Sequence, residues 1–309
     1  MDRRSAMRQA LRTRPTSIPR RPSGRRSPMR GCLLEEDRQG FRDLPHERMA
    51  PMDLAATSGH IPGFPLMMNL RELGGIESAD GRYVRYGLLY RGAALTGLGP
   101  EQRRIVDGFG LRCILDLRAE TETDGREDYV PEGAEYHRIA GMYDAAGNEM
   151  DFSPAAVANF LTMNNDPMEL MGALYTSMTH SNPAMHALID CLIAGKAPLY
   201  LHCSAGKDRT GVAAALVLAL LGVSDAAIVR EFLLTNEYRA ELIENPPAEL
   251  PEWVTSSGLW ARMNGVDERD LLAVFASMDE GHATREEYFA YEFGLDRAAL
   301  AALRNRYLE

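Results

Sequence analysis

The sequence predicts an α/β fold in which a central, mostly parallel sheet is flanked by helices, giving three layers. Two observations indicate this class. Short apolar runs, each long enough for one buried strand, alternate along the chain with stretches whose apolar residues recur at helical spacing. Residues 198–202 form such a run, and a glycine-containing loop and a helical pattern follow it directly. This strand–loop–helix order is typical of parallel sheets, whose strands are joined by helical crossovers.

Composition and charge divide the chain into a tail and a body. The first 30 residues hold ten arginines against Asp2, a local charge of +9, which leaves −19 for the remainder because the whole chain carries −10. Residues 1–50 are rich in proline, serine and arginine, so we expect a disordered tail there and one domain over residues 60–309. A basic tether to anionic membrane is the alternative role for the tail, and a true start at Met49 or Met52 would remove it.

The acidic body argues against a general nucleic-acid binder, because such proteins need a broad basic face to displace counterions. The apolar stretch at residues 212–221 is shorter than the roughly 20 residues of a transmembrane segment. The arginine-rich start lacks the apolar segment of a secretory signal. We therefore expect a cytoplasmic protein without a transmembrane segment, with non-classical secretion left open.

The cysteines predict neither a disulfide framework nor a metal site. They are far apart in sequence, and no two have the spacing of paired metal ligands. We expect a reducing compartment, no metal and no cofactor. The four positions are Cys32, Cys113, Cys191 and Cys203.

The elements of the domain begin near Asn69. Glycines punctuate short apolar runs there, which predicts turns and short strands before a strand at residues 88–90. A helix follows at residues 101–108, and a buried strand at residues 112–117 ends near Asp116. The methionine- and alanine-rich residues 148–193 predict helices.

The second half of the chain predicts one more strand and then helices. After the strand at residues 198–202, residues 210–221 predict a helix closed by a glycine. Ser224 or Asp225 caps a further helix through Tyr238, and the remaining chain is helical with breaks at prolines and a glycine.

The loop after the strand at residues 198–202 carries the strongest functional signal. It starts at Cys203 and reaches Arg209 after five residues. Five intervening residues allow successive backbone N–H groups to point into one concavity, and the following helix adds the positive end of its dipole. We expect this phosphate loop to bind a dianion and to stabilise a thiolate. The predicted phosphate-binding residues are Ser204, Ala205, Gly206, Lys207, Asp208 and Arg209.

The side chains of this loop predict covalent phosphate chemistry. A thiolate at Cys203 can attack phosphorus while the planar fork of Arg209 holds two equatorial oxygens. Thr210 can donate its hydroxyl to the sulfur and ease departure of the thiolate. His202 is expected to hold the loop rather than to transfer protons.

Lys207 and Asp208 distinguish this loop from other phosphate loops. A Walker A loop needs Ser or Thr after its Gly-Lys pair, and Asp208 stands there instead. Lys207 is one of two lysines among 34 basic residues, which favours a specific role: meeting a second phosphate or balancing Asp208. The alternative, an ordinary buried cysteine in a tight connection, does not account for the spacing from cysteine to arginine.

The string at residues 202–211 resembles the active-site loop of the protein tyrosine phosphatase superfamily. It is most similar to that of the bacterial and fungal tyrosine/serine phosphatases represented by the mycobacterial secreted phosphatase B. Three further segments resemble motifs of this family: residues 69–75, with Glu72 at the acidic position; residues 89–95, with Gly92 where serine is usual; and residues 116–118 with Glu122 downstream. The resemblance covers residues 69–238.

The resemblance implies a single α/β phosphatase domain with a helical lid, acting on phosphotyrosine and sometimes on phosphoserine or phosphoinositides. Residues 148–180 are then the lid candidate, although methionine-rich helices also serve as core. Arg71 and Arg118 either support the site or brace the sheet, and we favour bracing.

The general acid is not marked by a Trp-Pro-Asp loop, because both tryptophans follow the nucleophile in sequence. Asp116 is the first choice, since strand ends of a parallel sheet converge where the loop lies. Asp208 is the second. Alternatively, Asp116 forms a structural ion pair with Arg71 or Arg118.

The sequence therefore predicts a cysteine-dependent phosphomonoesterase that acts on phosphotyrosine, and also on phosphoserine or phosphothreonine, in phosphoprotein substrates. A phosphoinositide phosphatase is the alternative, favoured by Lys207 and the basic tail but opposed by the acidic body. A phosphate-binding pseudophosphatase is the third interpretation. The sequence leaves the physiological substrate and the oligomeric state open.

Overall fold

The computed structural model describes residues 59–144, 146–153, 156, 173–250 and 252–309. These residues belong to one unit, Pro51–Glu309. The predicted tail lies outside the described residues, as does most of the lid candidate, at residues 154–155 and 157–172.

Five short strands form one sheet. They are β1, Arg71–Glu72; β2, Leu89–Gly92; β3, Cys113–Asp116; β4, Glu135–Arg138; and β5, Leu199–His202. The order across the sheet is β1-β2-β5-β3-β4. β1 is antiparallel to β2, and every other pair of neighbours is parallel. The predicted α/β class with a mostly parallel sheet is confirmed.

Helices occupy most of the remaining described chain, and many of them follow the last strand. They are α1, Pro100–Gly108; α2, Glu120–Thr123; α3, Pro183–Ile193; α4, Asp208–Leu220; α5, Asp225–Tyr238; α6, Ala240–Glu244; α7, Glu252–Ser256; α8, Leu259–Asn264; α9, Glu268–Asp279; α10, Arg285–Phe293; and α11, Arg297–Tyr307. Among the described residues, none of these helices combines the length and the apolar character needed to cross a membrane.

The two faces of the sheet pack against different groups of residues. Leu199 and Leu201 of β5 lie in a large cluster that includes the apolar faces of α3 and α4. Tyr200, between them, lies in a smaller cluster with Ile114 of β3 and Val106 of α1. Because successive side chains of a strand point to opposite faces, the three central strands β2, β3 and β5 each contribute to both clusters. The sheet is therefore the middle one of three layers.

Helix α4, which follows the phosphate loop, lies in the centre of the larger cluster, and almost all of its residues are buried. Gly211 in its first turn faces α5 so closely that a Cβ atom would lie 2.6 Å from Cε2 of Phe232. The glycine after Thr210 therefore sets how closely α4 and α5 pack.

The sequence prediction differs from the structure at strand β4. Its residues, Glu135–Arg138, are exposed or only partly buried and carry no apolar alternation. An edge strand of this kind gives no periodic signal, because neither of its faces is buried enough to require apolar side chains at alternate positions. The strands predicted at residues 112–117 and 198–202 are found as β3 and β5, and Ser224 caps α5 as expected.

Candidate active site

The phosphate loop joins the carboxyl end of β5 to the first turn of α4, and it is largely enclosed by protein. Cys203 is 2% exposed and Arg209 is 4% exposed. Gly206 has a φ of 66°, a conformation that favours glycine. A Cβ atom there would lie 2.2 Å from the carbonyl carbon of Gly92 at the end of β2. The close approach of loop and strand therefore requires a glycine at this position.

Glu122 of α2 orients the Arg209 guanidinium. Nη1 donates to Oε2 at 2.6 Å and Nη2 donates to Oε1 at 2.8 Å, which is the bidentate geometry of a strong pair. The Ser204 hydroxyl donates to Oε1 at 2.6 Å. Burial by itself raises the pKa of Glu122, but Arg209 outweighs this effect and holds the pKa below its usual value. One carboxylate thus links both ends of the phosphate loop.

Two neighbours confine Arg209 further. Its guanidinium lies over the Phe152 ring, 4.8 Å from the ring centroid. A Cβ atom at Gly141 would lie 3.2 Å from Cγ of Arg209. The guanidinium is therefore held by packing as well as by the ion pair.

A buried cluster of charged groups supports the loop at Gly206. Glu231 of α5 accepts from Arg71 Nε and from Arg91 Nη1, each at 2.7 Å. Arg91 Nη2 and Asn69 Nδ2 both donate to the Gly206 carbonyl at 2.8 Å. The cluster holds two cations and one anion, so its net charge is positive. Arg71 donates to Glu231 and to Asn69, both of which belong to this cluster beneath the loop, and the favoured role of bracing the sheet stays a prediction.

Asp116 lies in the ion pair that was the alternative to a general-acid role. Arg118 donates to its carboxylate at 2.7 Å from Nη2, and the Tyr136 hydroxyl donates at 2.6 Å. The Asp116 side chain has no exposed surface. Burial by itself raises its pKa, but His202 and Arg118 outweigh this effect and lower the pKa to about 2. The general-acid role of Asp116 stays a prediction, and these contacts do not favour it.

His202 and Asp128 extend this buried cluster. The ring nitrogens of His202 lie 3.7 Å from Asp116 and 3.7 Å from Asp128, and Nδ1 lies 3.3 Å from the Cys203 carbonyl oxygen. Although the two carboxylates and the imidazole are close enough to share a metal ion, Arg118 already binds both carboxylates. The cluster therefore has its own cation and holds the start of the phosphate loop.

Asp208 belongs to the loop and is also the first residue of α4. Its carboxylate is partly exposed to solvent, with 22% of the side chain accessible. Lys207 Nζ lies 2.9 Å from Asp208 Oδ1 and donates to the Gly265 carbonyl at 3.2 Å. The Tyr175 hydroxyl also donates to Asp208. Burial by itself raises the pKa of Asp208, but Lys207 and Tyr175 hold it below its usual value. Of the two roles considered for Lys207, the structure shows the contact that balances Asp208.

Two further polar groups lie near the loop. The Thr210 hydroxyl is buried without a hydrogen-bond partner among the described residues. Arg239 is 8% exposed, and its Nε and Nη1 donate to the carbonyls of Asn264 and Met67. Burial lowers the pKa of Arg239, and the charges of Asp208 and Cys203 oppose this effect. A buried cation thus lies within electrostatic range of Cys203.

Sequence reasoning did not identify several residues that contact the site. Arg91 lies inside a segment already recognised as similar to a family motif. The others are distant from the loop in sequence and have no local pattern that marks them. They are Phe152, Tyr175, Glu231 and Arg239.

Comparison with known proteins places these features in a family context. The model of a tyrosine phosphatase family matches residues 63–309. A protein of Cupriavidus necator named as a tyrosine-protein phosphatase is 28% identical over 269 residues, covering 84% of this chain and 92% of that protein. The triple specificity protein phosphatase PtpB of Mycobacterium tuberculosis is 28% identical over 273 residues, covering 78% of this chain and 96% of that protein.

A more distant likeness joins this chain to a solved structure, the core catalytic domain of the PP-IP phosphatase SIW14 from S. cerevisiae in complex with citrate. The identity is 16%, the match covers 62% of this chain and 93% of the other, and the TM-score is 0.28. A likeness at this level supports no conclusion about fold or substrate.

Proposed function

Since the chain belongs to the tyrosine phosphatase family, as the match over residues 63–309 shows, we propose that it hydrolyses phosphate monoesters through a covalent intermediate on Cys203. The family makes it a protein-tyrosine phosphatase, a phosphoric monoester hydrolase. The observation that carries the mechanistic proposal is the Arg209 fork, which the bidentate pair with Glu122 fixes beside the loop that begins at Cys203.

The first step of the proposed reaction is attack of the Cys203 thiolate on phosphorus. The sulfur–phosphorus bond forms as the bond to the leaving oxygen breaks, and the backbone N–H groups and Arg209 bind the equatorial oxygens. Arg91 is a buried cation directly behind the loop, where its Nη2 donates to the Gly206 carbonyl, and a nearby cation favours a thiolate over a neutral thiol. Water then attacks the phospho-cysteine, its proton passes to the carboxylate that served as acid in the first step, and the phosphorus–sulfur bond breaks to release phosphate and the thiolate. The Thr210 hydroxyl can donate to the departing sulfur.

We assign proton transfer to the leaving oxygen to Asp208 rather than to Asp116. Asp116 is enclosed, and its carboxylate is bound by Arg118 and Tyr136. Asp208 lies in the first turn after the loop and keeps an exposed surface. A bound phosphate dianion raises the pKa of a neighbouring carboxyl, so substrate binding favours the protonated form that an acid requires.

The proposed substrates are phosphotyrosine and also phosphoserine or phosphothreonine in proteins. The name of the M. tuberculosis relative, a triple specificity protein phosphatase, agrees with a range wider than phosphotyrosine. Lys207 was the loop residue that favoured phosphoinositides, and its ammonium is bound to Asp208 and Gly265. Phosphoinositides therefore remain the alternative substrate, but none of the contacts among the described residues favours them over phosphoproteins.

Substitution of the two central residues tests the mechanism. We expect Cys203→Ser to abolish release of phosphate from p-nitrophenyl phosphate, because a serine hydroxyl stays protonated at neutral pH and is a much weaker nucleophile than a thiolate. Arg209→Lys should lower kcat/KM at least about a hundredfold, since lysine keeps the charge but loses the fork. Arg297→Lys is the matched control, because that side chain is 93% exposed. Substantial turnover by either loop variant would disprove the covalent mechanism.

The dependence on leaving group tests the acid. Loss of a general acid slows poor leaving groups more than good ones, because a good leaving group departs without a proton. We expect Asp208→Asn to lower kcat for phenyl phosphate much more than for p-nitrophenyl phosphate. Asp116→Asn should affect both substrates equally, through stability. The opposite pattern would return the acid role to Asp116.

A substrate panel on the full chain tests specificity. Phosphotyrosine and phosphoserine peptides, phosphoinositide vesicles and soluble inositol phosphates are compared by phosphate release, with Cys203→Ser as the blank. Faster turnover of phosphoinositides than of phosphopeptides would favour the lipid alternative. No release from any substrate, together with phosphopeptide binding that is as tight in Cys203→Ser as in the wild type, would indicate a pseudophosphatase.

A further inference from the structure

Two cysteines and a histidine meet at the amino end of the sheet, at the opposite end of the strands from the phosphate loop. Cys113 begins β3, His137 lies on β4, and Cys191 lies in the last turn of α3. The two Sγ atoms are 3.5 Å apart. One ligand atom from each of the three residues lies within 4.8 Å of the other two.

The strand register explains how these side chains come together. Cys113 pairs with Glu135 and Leu115 pairs with His137, so all four side chains lie on the face of the sheet that α3 covers. Cys113 is 0% exposed and Cys191 is 6% exposed, whereas 38% of the His137 side chain is exposed. The sulfur atoms are therefore enclosed, and the imidazole forms the side of the cluster that solvent reaches.

We propose that Cys113, Cys191 and His137 bind a Zn²⁺ ion. Two thiolates and one imidazole are the ligand types that tetrahedral zinc sites use. With zinc–sulfur bonds of about 2.3 Å and tetrahedral angles, two sulfur ligands lie about 3.8 Å apart. The observed 3.5 Å is close to this value. A disulfide would instead require the sulfurs to approach to about 2 Å.

The surroundings of His137 also suit a metal ligand. Oε2 of Glu135 lies 3.1 Å from His137 Nε2, and Lys196 Nζ donates to the same oxygen at 2.7 Å. A carboxylate on one ring nitrogen is the usual outer partner of a metal-binding histidine, because it orients the ring and leaves the other nitrogen for the metal. Water can complete the four ligands on the exposed side of the imidazole.

Such an ion would connect three elements of the fold. Cys113 and His137 belong to neighbouring strands, while Cys191 belongs to the helix that covers them. An ion that binds the folded chain and not the unfolded chain stabilises it in proportion to the logarithm of its concentration. We therefore expect Zn²⁺ to raise the thermal midpoint without any involvement of Cys203.

The test uses the full chain with Cys32→Ser and Cys203→Ser, so that Cys113 and Cys191 are the only thiols left. The chelator-treated protein is titrated with Co²⁺, whose thiolate complexes show a charge-transfer band in the near ultraviolet, and the Co²⁺ is then displaced with Zn²⁺. We expect one equivalent of metal, a thiolate band, and a thermal midpoint that rises with the concentration of Zn²⁺.

Two variants of this cysteine-substituted protein test whether Cys191 and His137 bind the metal ion directly. Cys191→Ser should remove the thiolate band, and His137→Ala should weaken binding of Co²⁺ at least about tenfold. Loss of a residue that only supports a ligand already costs about tenfold or more, so loss of a ligand should cost no less. His137 is half-exposed, so its variant should fold even where a cysteine variant does not. His186→Ala is the matched control, because 43% of that side chain is exposed and it lies on the same helix as Cys191.

Three outcomes would overturn the zinc site. The first is no thiolate band with Co²⁺ in the background protein. The second is unchanged affinity in both His137→Ala and Cys191→Ser. The third is recovery of Cys113 and Cys191 as a disulfide from protein purified under reducing conditions, which would mark the pair as a redox pair.

Discussion

Replacement of Glu122 by glutamine tests whether the bidentate pair with Arg209 sets the geometry of the active site. Glutamine keeps the size of the side chain and one carbonyl oxygen, but it has no charge and presents an NH₂ group where the second oxygen stood. In the wild type, two hydrogen bonds from Arg209 and one from Ser204 depend on this carboxylate. We expect Glu122→Gln to lower both stability and kcat.

The size of the effect follows from these contacts. Loss of one hydrogen bond to a charged group costs about 1.5–3 kcal/mol. Removal of one partner of a buried ion pair costs about 3–5 kcal/mol, because the remaining charge is left uncompensated. Arg209 is 4% exposed, so the buried case applies, and the retained carbonyl places glutamine near the lower end. We expect a decrease of about 3 kcal/mol in the free energy of unfolding.

Urea unfolding measures the stability, and initial rates with p-nitrophenyl phosphate measure kcat and KM. Each unfolding curve is repeated with saturating inorganic phosphate. A phosphate dianion in the loop supplies negative charge to Arg209, so the stability deficit of Glu122→Gln should be smaller when phosphate is bound. Glu120→Gln is the matched control, because Glu120 lies on the same short helix and is exposed.

Two results would refute this reasoning. If Glu122→Gln unfolds at the same urea concentration as Glu120→Gln and keeps the wild-type kcat, the pair does not orient Arg209. If the stability deficit is the same with and without phosphate, its cause is local packing rather than the unpaired charge.

Three further changes have expected outcomes. Gly211→Ala should lower the free energy of unfolding by about 1–3 kcal/mol, since its Cβ would overlap a phenylalanine ring, whereas Gly108→Ala, where a Cβ meets nothing within 4 Å, should not. Arginine contacts hold the pKa of Glu231 below its usual 4.5, so its stabilisation is present above that pH and is lost as the pH falls through the lower folded value. In urea unfolding, the loss of free energy of unfolding caused by Glu231→Gln should accordingly be largest near pH 7 and smaller in acid. A loss that does not change with pH would contradict a stabilising role for the ionised carboxylate. Tyr175→Phe removes a hydrogen bond that holds the pKa of Asp208 down, so the basic limb of the kcat/KM profile should move to higher pH if Asp208 is the acid. An unmoved limb would count against that role.

Sequence reasoning succeeds here where the determinants are local. The phosphate loop is a contiguous string, and a strand and a helix adjoin it with clear apolar patterns, so β5, α4 and the positions of Cys203 and Arg209 follow from neighbouring residues. The glycines of the loop and of the first turn of α4 are explained by close approaches that appear only in three dimensions. Gly206 contacts Gly92, and Gly211 contacts Phe232.

The parts that sequence reasoning does not reach depend on contacts between distant segments. Glu231 lies 140 residues after Arg91 in the chain, and it reaches the site because its helix, α5, packs beside the loop. Cys113 and Cys191 are separated by 78 residues, so their spacing gives no sign of a metal site even though their sulfurs meet. Likewise, the sequence leaves open which arginine pairs with Asp116, and no local pattern places the Tyr136 hydroxyl, 20 residues further along the chain, on the same carboxylate. Pairings of this kind depend on which strands become neighbours.

The net positive charge of the cluster formed by Arg71, Arg91 and Glu231 has a consequence for ionic strength. Mobile ions screen exposed charges over about 10 Å at 0.1 M salt but have little effect on buried ones. Added salt should therefore weaken the long-range repulsion between the acidic body and an anionic substrate, while the attraction exerted from behind the loop persists, because Arg71 and Arg91 are 0% exposed. The rate of substrate capture should accordingly increase with moderate salt. In a protein that attracts phosphate with exposed lysines and arginines, the same rate would decrease.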